Sequence, residues 1–220
     1  MKQSVVVLLS GGLDSSTLLA SLQQDGWNVI ALSILYGQRH KKEIQASEAI
    51  AHYYQVEHQV VDISTVQTLF AGSALTSNDI AVPHGHYTDS SMKSTVVPNR
   101  NMVFLSLAGA LAVSRKAQAI AYAAHAGDHT IYPDCRMSFI TKMREAFALC
   151  DWEPVSLLTP FASCTKADIV SQGMKLKVPY NLTWSCYEGG THHCGQCGTC
   201  VERIEAFQLS QAIDPTTYQA

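Results

Sequence analysis

The chain has 220 residues, 47% of them hydrophobic and only 15% charged, and 15 Lys+Arg against 18 Asp+Glu leave a net charge of −3. That length suits one domain with at most a small appendage, and the apolar content excludes intrinsic disorder. The charge balance excludes a strongly basic nucleic-acid binder, and the longest nearly apolar stretch, residues 102–113, falls well short of the roughly 20 residues that span a bilayer.

Residues 5–9, Val-Val-Val-Leu-Leu, form an unbroken apolar run, the pattern of a strand buried on both faces of a parallel sheet. The run is too short for a secretory core and Asp14 follows soon after, so the expected compartment is the cytoplasm, where thiols stay reduced. A helix is expected over residues 13–24, with Leu18, Leu19 and Leu22 on one face and Gly26 as its left-handed cap. A buried strand at 29–35, a helix over 41–54 and a strand at 56–63 make the opening sixty residues β-α-β-α-β, the order of a doubly wound sheet.

Residues 64–98, rich in Ser, Thr, Gly and His, carry no clear period and are read as irregular, with room for one short helix. A helix over 101–116, a strand at 119–124, a helix over 138–149 and a strand at 155–158 bring the strands to five. Thr165 with Asp168 has the spacing of a capping box opening a short helix to Gln172, and a last helix is expected over 200–209. The division expected is an α/β domain, residues 1–178, and a smaller C-terminal segment, residues 179–220.

Between the first strand and first helix lies Ser10-Gly11-Gly12-Leu13-Asp14-Ser15-Ser16. Ligands of open α/β sheets bind beyond the carboxyl ends of the strands. A helix N-terminus there offers unpaired N–H groups and partial positive charge, both suited to phosphate. Glycines let the backbone approach the anion. No Lys follows them, so this is not a Walker A loop, and the spacing differs from the dinucleotide fingerprint. The bland alternative is a tight turn in which Ser10 or Asp14 only caps the helix.

Seven cysteines in a reducing compartment argue against a disulfide framework. Cys186, Cys194, Cys197 and Cys200 are spaced C-x7-C-x2-C-x2-C, with Gly195 and Gly198 directly after two of them. Four thiolates close a tetrahedral zinc site and leave no position for substrate, so one structural Zn2+ is expected, pinning the C-terminal helix onto the sheet. An iron–sulfur cluster is the alternative, since C-x2-C-x2-C also occurs in ferredoxins. Cys150 and Cys164 are expected as small buried hydrophobes, while Cys135 lies in a substrate-type loop.

The string SGGLDSS resembles the pyrophosphate loop of the PP-loop ATP pyrophosphatase superfamily, whose fold is similar to the adenine-nucleotide α-hydrolases. The stretches 36–40 (YGQRH), 97–101 (VPNRN), 132–136 (YPDCR) and 183–187 (TWSCY) narrow the match. Together with the four cysteines they resemble the 7-cyano-7-deazaguanine synthase (QueC) family over about residues 4–214. One departure is Ala126-Gly127-Asp128-His129, where the family pattern is acidic then aromatic.

The resemblance implies a doubly wound, mostly parallel five-stranded sheet with a small C-terminal zinc-knuckle and helix appendage. It implies an ATP-dependent ligase that turns 7-carboxy-7-deazaguanine and ammonia into the nitrile through an adenylated carboxylate and then an adenylated amide. ATP with Mg2+, ammonia and the deazaguanine are the expected partners, with a homodimer and no nucleic acid or membrane. No segment is left over for a glutaminase or a tRNA-binding domain.

ATP contacts are expected from Leu8, Leu9, Ser10, Gly11, Gly12, Leu13, Asp14, Ser15, Ser16, Thr17 and Leu18, with Asp14 near the Mg2+–pyrophosphate. Arg100 opens a helix, where a guanidinium forks onto phosphate or carboxylate. Lys166 is expected to steady phosphates, with a merely solvated second residue of the capping box as the alternative; with Asp14 and Arg100 it forms the expected catalytic set. Asp134 and Arg136 suit a guanine-like amino edge and a carboxylate, although capping and surface charge are the plain alternatives. Tyr36, Gln38, His40 and Asp128 complete the expected substrate set. Two rivals remain: a PP-loop ligase that thiolates tRNA, which would want a basic RNA surface, and a non-catalytic zinc-knuckle module, which would need no phosphate loop.

Overall fold

In the computed structural model, which describes residues 2–86 and 90–219, β1 (Ser4–Leu8) runs through the centre of a five-stranded parallel sheet. The other strands are β2 (Asn28–Leu35), β3 (Glu57–Asp62), β4 (Ala119–Ala121) and β5 (Ser156–Leu158), in the order β3-β2-β1-β4-β5. Val5 pairs with Val29 on one side and with Ala119 on the other. With both edges of β1 hydrogen-bonded and helices on both faces, each of its side chains lies in dry protein, which is why its apolar run does not alternate.

The two faces still separate by strand period. Val6, Ile30, Leu32 and Ile34 pack with α3 (Arg100–Ser114) and α4 (Met137–Phe147) through Leu105, Ala108, Ile140 and Phe147. Val5, Val7, Leu9 and Val29 face α1 (Leu13–Gln24), α2 (Lys42–Tyr53) and α5 (Lys166–Lys175) through Leu18, Leu19, Ile50 and Ile169. The last helix, α6 (Gly198–Leu209), rests on α5 rather than on the sheet itself. Its Ala206 and Phe207 nevertheless join the same core cluster as Leu18 and Tyr180.

Gly26 takes φ +88° directly after the α1 cap, as its position past the apolar stripe predicts. The strand expected at 119–124 stops at Ala121, because β5 offers a partner only as far as Leu158; Tyr122, Ala123 and Ala124 then line the cavity described below. Residues 64–98 hold two 3-10 stretches, Ser64–Phe70 and Ser90–Thr95, where one short helix is expected. Phe70, Leu75, Met92 and Val97 from this segment are buried against the α3 face. Its residues 87–89 lie outside the described residues.

Cys150 is exposed, against the expectation of a small core residue, because it follows the end of α4 where the chain turns through solvent. Cys164 is partly exposed. No helix among the described residues is long and apolar enough to cross a membrane.

Candidate active site

The carboxyl ends of β1, β2 and β4 open into a cavity of about 250 Å³. Its wall begins at the glycine loop. Gly12, not Ser10 or Asp14, is the N-cap of α1, and it makes no side-chain cap hydrogen bond. Ser10 and Ser15 knit the loop instead. Their hydroxyl oxygens are 3.0 Å apart, Ser10 N–H donates to Ser15 Oγ at 3.2 Å, and Gly12 N–H donates to Ser10 Oγ at 3.3 Å. Gly11 has φ +80°, and a Cβ there would stand 2.5 Å from both the Glu43 carbonyl oxygen and the Ser47 nitrogen. The loop therefore lies directly on the backbone of α2.

A buried charged cluster flanks the loop. The capping box of Thr165 and Asp168 is formed in both directions, which fixes Lys166 as the first residue of α5. Its Nζ lies 2.8 Å from Asp14 Oδ2, 2.8 Å from Glu202 Oε2 and 3.2 Å from His125 Nε2. The His125 Nδ1 accepts from Gly127 N–H at 3.1 Å. The ring's Nε2 stands 3.5 Å from Asp128 Oδ1. Burial works against the charge of Lys166, yet Asp14, Glu202 and Asp128 outweigh it and raise its pKa. Burial also pushes the Asp14 carboxyl up, but Lys166, His125 and Arg203 together hold it below its ordinary value. For Glu202 burial wins, and the pKa is raised.

The opposite wall carries a second cation. Arg100 follows Asn99, which is left-handed with φ 53°, and begins α3. Its Nη1 reaches the Tyr36 hydroxyl only at 3.5 Å, and no carboxylate forms an ion pair with it among the described residues. The hydroxyls of Tyr36, Tyr187 and Tyr132 surround the guanidinium; they outweigh burial and raise its pKa. Deeper in the cavity, Asn101 Nδ2 donates to Cys135 Sγ at 3.3 Å. Burial pushes the Cys135 thiol well up, so it stands as a neutral thiol.

The cysteine segment closes the cavity. Trp184, Ser185, Tyr187 and Thr199 all line it. Next to them the sulfurs of Cys186, Cys194, Cys197 and Cys200 lie within 4.8 Å of one another, all four residues buried. Tetrahedral zinc with bonds of about 2.3 Å spaces its sulfurs about 3.8 Å apart; Cys194 and Cys200 sulfurs are 3.9 Å apart. Gln196 and Cys197 N–H groups donate to Cys194 Sγ at 3.4 and 3.2 Å, the turn that Gly195 permits with φ +73°. The donor set fits a closed four-thiolate metal centre.

Of the residues expected at the site, Leu8, Leu9, Ser10, Gly12, Leu13, Asp14 and Ser15 line the cavity, as do Tyr36, Gln38, Arg100, Asp128 and Lys166. Gly11, Ser16, Thr17 and Leu18 lie behind this surface; the Thr17 hydroxyl, for example, is buried against Tyr180 OH at 2.8 Å. His40 packs outside the lining against Trp184, with ring centroids 6.3 Å apart. Asp134 accepts the Asn101 N–H at 3.1 Å and so braces the start of α3. Arg136 is exposed and donates Nε–H to the His129 carbonyl at 2.8 Å. Its side chain is not among those lining the cavity, which matches the surface-charge alternative. Glu202, His125, Glu43 and Trp184 belong to the site and escape sequence reasoning. Glu202 carries one cue: it sits on the helix turn that begins within the cysteine motif.

A parallel sheet whose first strand ends in a glycine–serine loop, with cations on either side of the cleft, defines the class as an α/β protein with an anion-binding cleft at the carboxyl ends of its strands. A family model described as queuosine biosynthesis protein QueC matches residues 4–211. The chain belongs to the QueC family. It is 52% identical over 97% of its length to the 7-cyano-7-deazaguanine synthase of Caldicellulosiruptor saccharolyticus, covering 95% of that protein. Against the protein of the same name from Hahella chejuensis it is 50% identical, covering 98% of this chain and 93% of the other. Among solved structures, a 4-thiouridine synthetase in complex with RNA and bound ATP is similar over 80% of this chain and 41% of that one. Its TM-score is 0.53 at 14% identity, a likeness of fold alone.

Proposed function

We propose that this chain is an ATP-dependent 7-cyano-7-deazaguanine synthase acting in queuosine precursor biosynthesis. Full-length similarity to proteins of that name supports the reading. The observation that carries it in the structure is the convergence of the α1 N-terminus, Lys166 and Arg100 on one cavity. In the reaction so proposed, a carboxylate oxygen of 7-carboxy-7-deazaguanine attacks the α-phosphorus of ATP and pyrophosphate leaves. Ammonia then displaces AMP to give the amide. The amide oxygen attacks a second ATP, and loss of AMP and a proton leaves the nitrile, so both carboxyl oxygens depart in AMP.

The first step sets a carboxylate against a polyphosphate and both activations release pyrophosphate, and the residues answer that concentration of negative charge. The first-turn N–H groups of α1, with Ser10 and Ser15, bind phosphate oxygens. Lys166 offsets the charge that builds on the leaving pyrophosphate, from a position fixed before substrate arrives. Arg100, without a carboxylate partner of its own, orients the substrate carboxylate against the nucleotide. The buried Oδ1 of Asp14 has no hydrogen-bond partner, a hard oxygen that fits Mg2+ carried in with ATP; the ion would screen the phosphates. Cys186, Cys194, Cys197 and Cys200 would hold one Zn2+, which supplies cross-linking and no open coordination position. Cytoplasmic location and a homodimer are the setting the family resemblance implies.

Purified protein incubated with Mg-ATP, ammonium and 7-carboxy-7-deazaguanine is expected to yield AMP, the amide and the nitrile by mass spectrometry. Absence of all three overturns the assignment.

A further inference from the structure

Asp14 stands between two claims. Its Oδ2 is 2.8 Å from Lys166 Nζ, while its Oδ1 is buried and unpartnered beside the phosphate loop. On the role proposed above for Asp14, a divalent cation arriving with the nucleotide would draw on the same carboxylate and weaken its hold on the lysine. The Lys166 side chain is only 14% exposed, and a buried ammonium stripped of its counter-ion is strongly disfavoured. On one side-chain partner alone, the site would have to choose between its lysine and its metal–nucleotide.

A second carboxylate is already in place. Glu202 Oε2 lies 2.8 Å from the same Nζ, on a side chain only 11% exposed. His125, at 3.2 Å, and Asp128 also act on the lysine. Glu202 comes two residues after Cys200, one of the four clustered cysteines, so the turn of α6 that carries it is anchored.

We propose that Glu202 is a positioning residue that acts through Lys166: it holds the ammonium when Asp14 turns to the metal–nucleotide, and so sets how readily the site accepts ATP with its divalent cation. The inference rests on the nucleotide roles proposed above for Asp14 and Lys166. It assigns a task to a residue that is not among those lining the cavity.

The test is calorimetric titration of ATP into metal-replete protein at a series of Mg2+ concentrations, read as the Mg2+ midpoint for tight binding. Glu202→Gln is expected to raise that midpoint about tenfold, since a close charge pair is lost, while ATP affinity without Mg2+ does not weaken and cysteine-bound metal is retained. In a Lys166→Met background the same substitution is expected to leave the midpoint unchanged. An unchanged midpoint in folded Glu202→Gln overturns the proposal, and so does an equal shift in the Lys166→Met background. Should Glu202→Gln fail to fold, Glu202→Asp, which keeps the charge on a shorter arm, must raise the midpoint about threefold; a wild-type midpoint there overturns the proposal as well. Wild-type protein that binds no ATP at all overturns the nucleotide reading and this inference together, whereas normal wild-type binding matched by Glu202→Gln overturns the inference alone.

Discussion

Trp184 donates its backbone N–H to the carbonyl oxygen of Gly11 at 2.9 Å. This bond joins the segment that carries the cysteines to the glycine loop at the α1 N-terminus. Trp184 also donates its indole N–H to the Cys186 carbonyl at 2.8 Å, so a single residue spans the cysteine centre and the glycine loop.

Loss of the bound metal should therefore reach the nucleotide site. Cys194→Ser is expected to lower both metal content and thermal midpoint, because metal-binding free energy in such knuckles is folding free energy. ATP affinity should fall with it. Metal analysis beside a melting curve checks the first claim, and anaerobically purified protein should be colourless if the metal is zinc. Unaltered ATP binding in a metal-free variant would sink the link through Trp184.

Arg100→Ala should act on the organic substrate. Among the described residues its guanidinium forms no ion pair with a carboxylate and reaches the Tyr36 hydroxyl at 3.5 Å, so its forked donors suit an incoming anion. The expected outcome is a KM for 7-carboxy-7-deazaguanine raised about tenfold or more, with Arg100→Lys recovering little, since an ammonium cannot form the paired bonds. Steady-state kinetics at saturating ATP reads this; an unchanged KM would reassign Arg100.

Gly11→Ala meets two costs at once. The backbone at φ +80° disfavours any side chain, and the new Cβ would stand 2.5 Å from backbone atoms of α2 that have no rotamer to give way. Destabilisation of about 1–3 kcal/mol is expected from the strain, with weaker ATP binding as the loop lifts from α2. Denaturant unfolding together with ATP titration measures both.

The buried pair Arg203–Asp214 gives a pH dependence with a definite sign. Burial raises the Asp214 carboxyl, but Arg203, Tyr218 and the Thr216 N–H outweigh it and hold its pKa below the ordinary 3.8. A depressed folded pKa contributes stability above the unfolded value, lost as pH falls through the folded one. At pH 7, Asp214→Asn should cost about 3–5 kcal/mol by stranding a guanidinium that is fully buried. The gap to wild type should narrow below about pH 4. Parallel urea titrations at pH 7 and pH 3 test it; a gap that stays constant contradicts the pairing.

Much of this arrangement is legible in the residues themselves. The apolar run of β1, the glycines after it and the stripe of α1 are local signals, and local period decides which atoms face the core. The capping box at Thr165 is local too, and it sets Lys166. What escapes is convergence. Lys166 meets Asp14 across 152 positions, and no period in either segment announces the encounter. Glu202 and His125 look like ordinary surface residues until α6 rests on α5. Asp134 and Arg136 sit in a motif that names the family, yet one braces α3 and the other faces solvent, because a motif records proximity to the site without recording direction. Cys150 illustrates the same limit, since residue type alone says little about burial past a helix end.

The bond from Trp184 to Gly11 also bears on synthesis of the chain. Asp14 of the glycine loop is translated 152 residues before Lys166, and Trp184 and Glu202 follow later still. The nascent chain thus carries that loop before the segments that wall its cavity exist, and on the roles proposed above the site is completed only when those later segments fold back onto it.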